Sequence, residues 1–140
     1  MASQFYNSGK VKLWNGSIDL DTDTIKVALV TSSYTPNYDT HDFFDDITNE
    51  VSGTGYTAGG ATLTSTTVTQ DNTNDRAVFD AADVSWSTST ITNARYAIMY
   101  KSTGTASASP LICLIDLLAN QSTVGDTFKI EWDPAGIFYY

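Results

Sequence analysis

The sequence predicts a mainly β domain: an antiparallel β-sandwich or a barrel-like fold, with a jelly-roll-like arrangement among the options, and one or two short helices. Three observations predict it. Seven or eight short apolar or alternating runs follow one another, separated by clusters of Gly, Asn, Asp, Ser and Pro, the pattern of packed antiparallel sheets. Charged residues make up only 16% of the chain, and Thr, Ser and Asn take their place. That substitution favours pleated, half-solvated strands, because β-branched Thr fits them. The 140 residues show no internal repeat and no linker, so residues 1–140 read as one domain. With 41% hydrophobic and 12% aromatic residues, it has core material enough to fold without disulfides.

The elements follow in order. NSGKVKLWNG at 7–16 reads as a short helix closed by Gly16, in preference to a strand entering a turn. Thr24 to Thr31 is a strand carrying Ile25, Val27, Leu29 and Val30. Tyr34 to Thr40, with Pro36, is a loop. Asp39 or Thr40 then offers an N-cap for a helix over roughly 42–50, with Asp42, Asp45 and Asp46 near its positive end and Phe43, Phe44 and Ile47 on one face. A loop of Gly53, Gly55, Gly59 and Gly60 surrounds Tyr56. Residues 34–60 thus form a helix-loop excursion expected to project from the β core.

From Ala61 one strand runs through Leu63 to Val68, and DNTNDR at 71–76 turns the chain. Ala77 to Phe79 is a strand. Val84 and Trp86 alternate before Ser87 to Thr90 breaks the run. Ala94 to Lys101 is a strong strand, and Leu111 to Leu118 is a nearly continuous apolar one. Asn120 to Gly125 turns, Asp126 to Trp132 alternates Phe128, Ile130 and Trp132 on one face, and Ile137 to Tyr140 closes the chain.

Charge and motifs exclude several functions. The net charge is −9, and seven scattered basic residues form no patch, so no direct nucleic-acid binding is expected. No apolar run is long enough to cross a bilayer, and the start MASQFYNSGK lacks the apolar core of a signal peptide. Cys113 reads as a buried structural thiol made in a reducing cytoplasm, and the lone His41 lies 72 positions from it. Without further Cys or His a zinc site is excluded, G-x-S-x-G is absent, and GTGYTAGG neither follows a strand nor precedes a P-loop lysine. DLDTD at 19–23 and DNTND at 71–75 offer alternate oxygen ligands for calcium but read first as turns. Asp42, Asp45 and Asp46 beside tyrosines leave one further class open, a carbohydrate-binding or glycan-hydrolysing module, whose carboxylates would stand about 5–10 Å apart across a cleft. The expectation is no catalytic residue, no cofactor and no metal.

The segment TIKVALVTSSYTPNYDTHDFFDDITNEVSGTGYTAGGATLT, the later VTQDNTNDRAVFDAADVSWSTSTITNARYAIMY, and SPLICLIDL carry a resemblance across about residues 2–140. Together with the opening FYNSG and the closing DPAGIF, the chain resembles a family of small tailed-phage virion proteins. That resemblance implies a structural role without enzymatic activity: a capsid decoration or cement protein on the virion exterior. The expected partners are the major capsid protein and further copies of the chain itself, with a trimer among the options because a three-fold position on an icosahedral shell would impose it. A tail, neck or fibre-associated role is the alternative. Aromatic side chains dominate interface energetics, so the interface candidates are Phe5, Tyr6, Phe43, Phe44, Tyr56, Tyr139 and Tyr140.

Overall fold

The computed structural model describes residues 2–140. Its strands are β1 (Ala2–Phe5), β2 (Ile25–Thr31), β3 (Ala61–Thr62), β4 (Thr67–Asp71), β5 (Arg76–Asp80), β6 (Val84–Lys101), β7 (Leu111–Ile130) and β8 (Phe138–Tyr139), with one helix, α1 (Asn7–Trp14). A five-stranded sheet has the order β1-β7-β6-β2-β3, and a three-stranded sheet has the order β4-β5-β8. Every strand pair is antiparallel. The two sheets form an open sandwich-like arrangement, not a closed barrel.

The larger sheet is covered on both faces. In β2, Val27 and Leu29 enter the main core between the sheets, while Ala28 and Val30 enter a second cluster on the opposite face. In β6, Ala97 and Met99 face the main core and Ile98 and Tyr100 face the other. In β7 the alternation skips a residue: Met99 pairs with Cys113 but Tyr100 pairs with Leu111, so Ile112 is a bulge. The bulge keeps each paired couple on its proper face. Double burial is why these strands read as continuous apolar runs.

The second face is roofed by residues 34–47. Tyr34 is buried there, with Tyr38, Phe44 and Ile47 packed around it. Phe44 stacks on Tyr100 with ring centroids 4.1 Å apart and planes 14° off parallel, a contact worth about 0.5–1.5 kcal/mol beyond its area. The excursion therefore lies flat on the sheet and does not project.

Within it, the expected helix over 42–50 is a single 3-10 turn at Phe44–Asp46. Tertiary pairing stops the helix. Ile47 is already extended, Glu50 bridges Val30, and the Val51 N–H donates to the Leu29 carbonyl at 2.9 Å. Neither Asp39 nor Thr40 caps it: the Asn37 side chain accepts from both their N–H groups, and Asp46 Oδ2 accepts from the N–H groups of Asp42 and Phe43.

Other boundaries shift for equally local reasons. Ser87 to Thr90 and Asn120 to Gly125, read as breaks, are bulged stretches inside a single long β6–β7 hairpin. Thr88, Asn93 and Leu118 take positive φ there, and the register slips repeatedly. Ser89 is buried at one slip because its hydroxyl bonds the Thr123 Oγ1 and the Asp126 carbonyl. The expected strand from Ala61 to Val68 divides at Ser65, whose φ is 54°. One part, β3, joins the large sheet and the other, β4, the small one. The opening residues, which carry no alternation, form β1 against β7. Helix α1 is as expected, with Gly16 at φ 78° beyond its end.

The glycine loop is pressed onto this frame. Gly60 has φ 77°, and a Cβ there would stand 1.9 Å from the Val27 carbonyl oxygen. Gly60→Ala is therefore expected to destabilise the fold by about 3 kcal/mol or more, read from urea denaturation. Gly104 has a similar φ but open space around it, so Gly104→Ala should lose only about 1 kcal/mol. Equal losses at the two positions would show that the loop does not press on β2.

Candidate interaction surface

Several of the groups that could carry chemistry are bonded inside the monomer, whereas Asp45 stands exposed. Asp46 spends its carboxylate on the two backbone donors already described. Tyr56 Oη donates to Glu50 Oε1 at 2.7 Å and accepts from the Leu29 N–H at 3.0 Å. Glu50 Oε1 also accepts from the Gly59 N–H at 2.6 Å. The N–H that a phosphate-cradling loop would present thus already serves a carboxylate, and Tyr100 Oη donates to the Gly59 carbonyl. Burial, together with the bond to Glu50, pushes the Tyr56 phenol far above its ordinary value.

His41 has a similarly internal role. Its Nδ1 lies 3.3 Å from the Asn37 N–H, which can only donate, so this nitrogen accepts. The Tyr34 hydroxyl, 2.8 Å away, therefore donates to Nδ1, and the Tyr6 hydroxyl donates in turn to Tyr34 at 2.9 Å. Burial pushes the Tyr34 phenol up to about 12 and raises Tyr6 further. Cys113 is fully buried, and desolvation lifts its thiol to about 12. No base–nucleophile pair arises from these residues.

The two acidic turns close on themselves. Asp23 Oδ2 accepts from the Asp19 N–H and pairs with Lys101 at 2.8 Å. Asp71 accepts from Thr73 and Asn74 backbone N–H groups, from the Asn74 amide and from Arg76 Nε. Among the described residues, no group of three His, Cys, Asp or Glu side chains is arranged to hold a metal ion.

What stands open is apolar. Gly9 lets α1 lie directly on β7: a Cβ there would sit 2.6 Å from the Leu111 carbonyl oxygen. With that side pressed down, the helix turns Val11 and Trp14 outward, and Trp14 is 86% exposed. Beside it runs a groove of about 320 Å³, walled by Leu13, Ile18 and Leu20 on one side and by Val68, Val78 and Tyr139 on the other. Tyr140 closes it and is, like Tyr139, more than half exposed.

The structure divides the expected interface aromatics. Tyr139 and Tyr140 lie on this face. Tyr6 is fully buried and has no surface to offer. Phe5 packs edge-on against Phe138 at 4.9 Å, Phe44 stacks on Tyr100, and Tyr56 packs against Trp86. Phe43, half-buried, lies under the Lys12 ammonium at 4.8 Å. These four are mainly internal, as Tyr6 is. Trp14, Val11 and Val68, exposed in the structure, are not among the interface candidates read from the sequence. Their signal was available only for Trp14, a large aromatic placed just before the Asn15-Gly16 helix end.

Acid sensitivity follows from two carboxylates. Asp116 is held below its ordinary 3.8 by the Arg95 guanidinium, bonded through Nε and Nη2 at 3.0 Å each, and by the Leu118 N–H. Asp71 is lowered by Asn74 and Arg76. A depressed carboxylate contributes stability above its unfolded value and loses it as pH falls through the folded one. Asp116→Asn should therefore lower the melting temperature at neutral pH and shrink the drop seen between roughly pH 5 and pH 2. An unchanged acid profile would show that the pair contributes nothing. Comparisons with protein-family models, with curated proteins and with solved structures each find no match to this chain.

Proposed function

We propose that this chain is a non-enzymatic structural protein of a tailed-phage particle: a capsid decoration protein that binds the major capsid protein on the shell exterior and stabilises it. One observation carries the reading. Tyr6, Tyr34, His41, Tyr56, Glu50 and Asp46 are bonded within the monomer, while aromatic side chains stand exposed on one face. The resemblance of the whole sequence to small virion proteins supports the same reading and supplies the particle.

The physics suits the role. Aromatic side chains on a helix and a strand lose little freedom on binding, so more of their contact energy survives as affinity. An interaction that is weak per copy becomes effective when many copies engage one shell. With net charge −9 the protein is steered to basic protein surfaces and repelled by packaged DNA. No described helix is long and apolar enough to cross a membrane.

The test is the stoichiometry of purified virions. The expected copy number approaches that of the major capsid protein. Tens of copies or fewer would move the protein to the tail, neck or fibre, and its absence from particles would overturn the reading. A polysaccharide-degrading activity lost on Asp46→Asn would overturn it from the other side, because Asp46 is expected only to hold its own turn.

A further inference from the structure

We propose that the outer edge of β4 accepts an added strand, and that the strand is an extended segment of the shell protein, uncharged in its middle and basic at both ends. The inference deepens the assembly reading and rests on it for the source of that segment. β4 is the outermost strand of the small sheet, and among the described residues β5 is its one bonded neighbour. Alternate residues of β4 therefore point their backbone N–H and C=O groups out of the sheet without a partner in the chain. Thr67 to Gln70 are exposed.

Native edge strands are ordinarily blunted by shortness, charge, Pro or bulges. Other edges of this molecule are. β3 and β8 are two residues long, and the part of β7 beyond its pairing with β1 is bulged and carries Lys129. β4 has none of these devices. Its residues Thr67–Asp71 pair with β5 in unbroken register, include no Pro and hold no charge before Asp71. They offer about 17 Å of regular edge. Such an edge recognises extended backbone, and the side chains beside it choose among partners. Val68, nearly half exposed, borders the groove next to Trp14. An added strand places an apolar residue beside Val68 and carries the small sheet on past the aromatic face.

Charge selects the ends of the segment. At one end of β4, Thr67 pairs with Asp80, and the Thr66 hydroxyl donates to the Asp21 carbonyl at 3.4 Å. Asp19 lines the same groove as Val68. At the other end, Asp75 stands in the turn that leads to β5. Among the described residues these four carboxylates have no cationic partner, whereas Asp23 and Asp71 are paired with Lys101 and Arg76. Across the groove, Lys10 is bonded to Asn7 and Lys12 lies over Phe43. Both ends of the edge are thus negative and its middle is neutral. A second copy of β4, added in either direction, would bring acidic ends together and be repelled. A segment with basic ends is drawn in.

The test is hydrogen exchange of the full chain, free and bound to purified shells. The expected result is exchange at least tenfold slower at the outward amides of residues 67–71 on binding. Val68→Pro and Thr69→Pro separate the two sides of the strand: each deletes one N–H, one from the β5 ladder and the other from the outer edge. The variant that keeps the native melting temperature should lose at least tenfold in shell affinity. Asp21→Asn combined with Asp75→Asn, both at exposed positions, should fold normally, weaken binding at least threefold at low salt and flatten its salt dependence. Shell binding that leaves exchange in β4 unchanged, or a folded outer-edge Pro variant that binds as tightly as the native chain, would overturn the proposal and leave the assembly reading to virion copy number. So would protection of β4 that rises with protein concentration in the absence of shells, which would give the edge to a second copy. A chain absent from virions removes the assembly reading and this inference with it.

Discussion

The burial of β2 and of the adjoining halves of β6 and β7 on both faces is the constraint on which the rest depends. A two-layer sandwich needs one apolar face per sheet. This large sheet has two, so a second cover is obligatory, and only residues 34–47 are placed to supply it. Leaving Tyr34, Ile98 and Leu111 uncovered would forfeit roughly 1.5–3 kcal/mol for each large side chain. The roof is therefore part of the core.

That demand explains the odd texture of the 41–60 segment. Its aromatics are the roof's apolar underside. Its aspartates fall where the chain must turn without forming a helix, and the Asp46 carboxylate accepts from the backbone N–H groups of Asp42 and Phe43. Its glycines come where the chain runs hard against β2 and β6: a side chain at Gly53 would meet the Thr90 carbonyl, as one at Gly60 would meet that of Val27. Tyr56 and Glu50 then pin the loop by bonding to one another and to both backbones. The same residues that resemble a catalytic or phosphate-binding site in sequence fasten this lid to the sheet.

With the Tyr6–Tyr34–His41 chain and the Tyr56–Glu50 pair bonded indoors, the large side chains the molecule presents outdoors include Trp14, Tyr139 and Tyr140. That surface collects where an early and a late element meet, the exposed side of α1 and the last strand, β8, of the small sheet. Neither element has a further layer to pack against, so Trp14 and Tyr140 stand exposed.

By itself, the sequence determined the mainly β class, helix α1 with its Gly16 end, the cores of β2 and β5, the hairpin turn at 71–76 and both apolar stretches of the long β6–β7 arm. These depend on neighbours within a few residues: alternation, Asx turns and a glycine with positive φ. Tertiary structure alone decided the fate of residues 42–50, because pairing of Glu50 and Val51 with β2 outweighs a local helical pattern of marginal strength. It alone joined β6 and β7 across polar stretches, since a bulge keeps a ladder going only if a partner strand is there to bond. And it alone separated Tyr6, sealed beneath the roof, from Trp14 and Tyr140, left outside. Aromatic residues look alike in sequence, and which side of a layer each occupies is settled by what the fold lays over it.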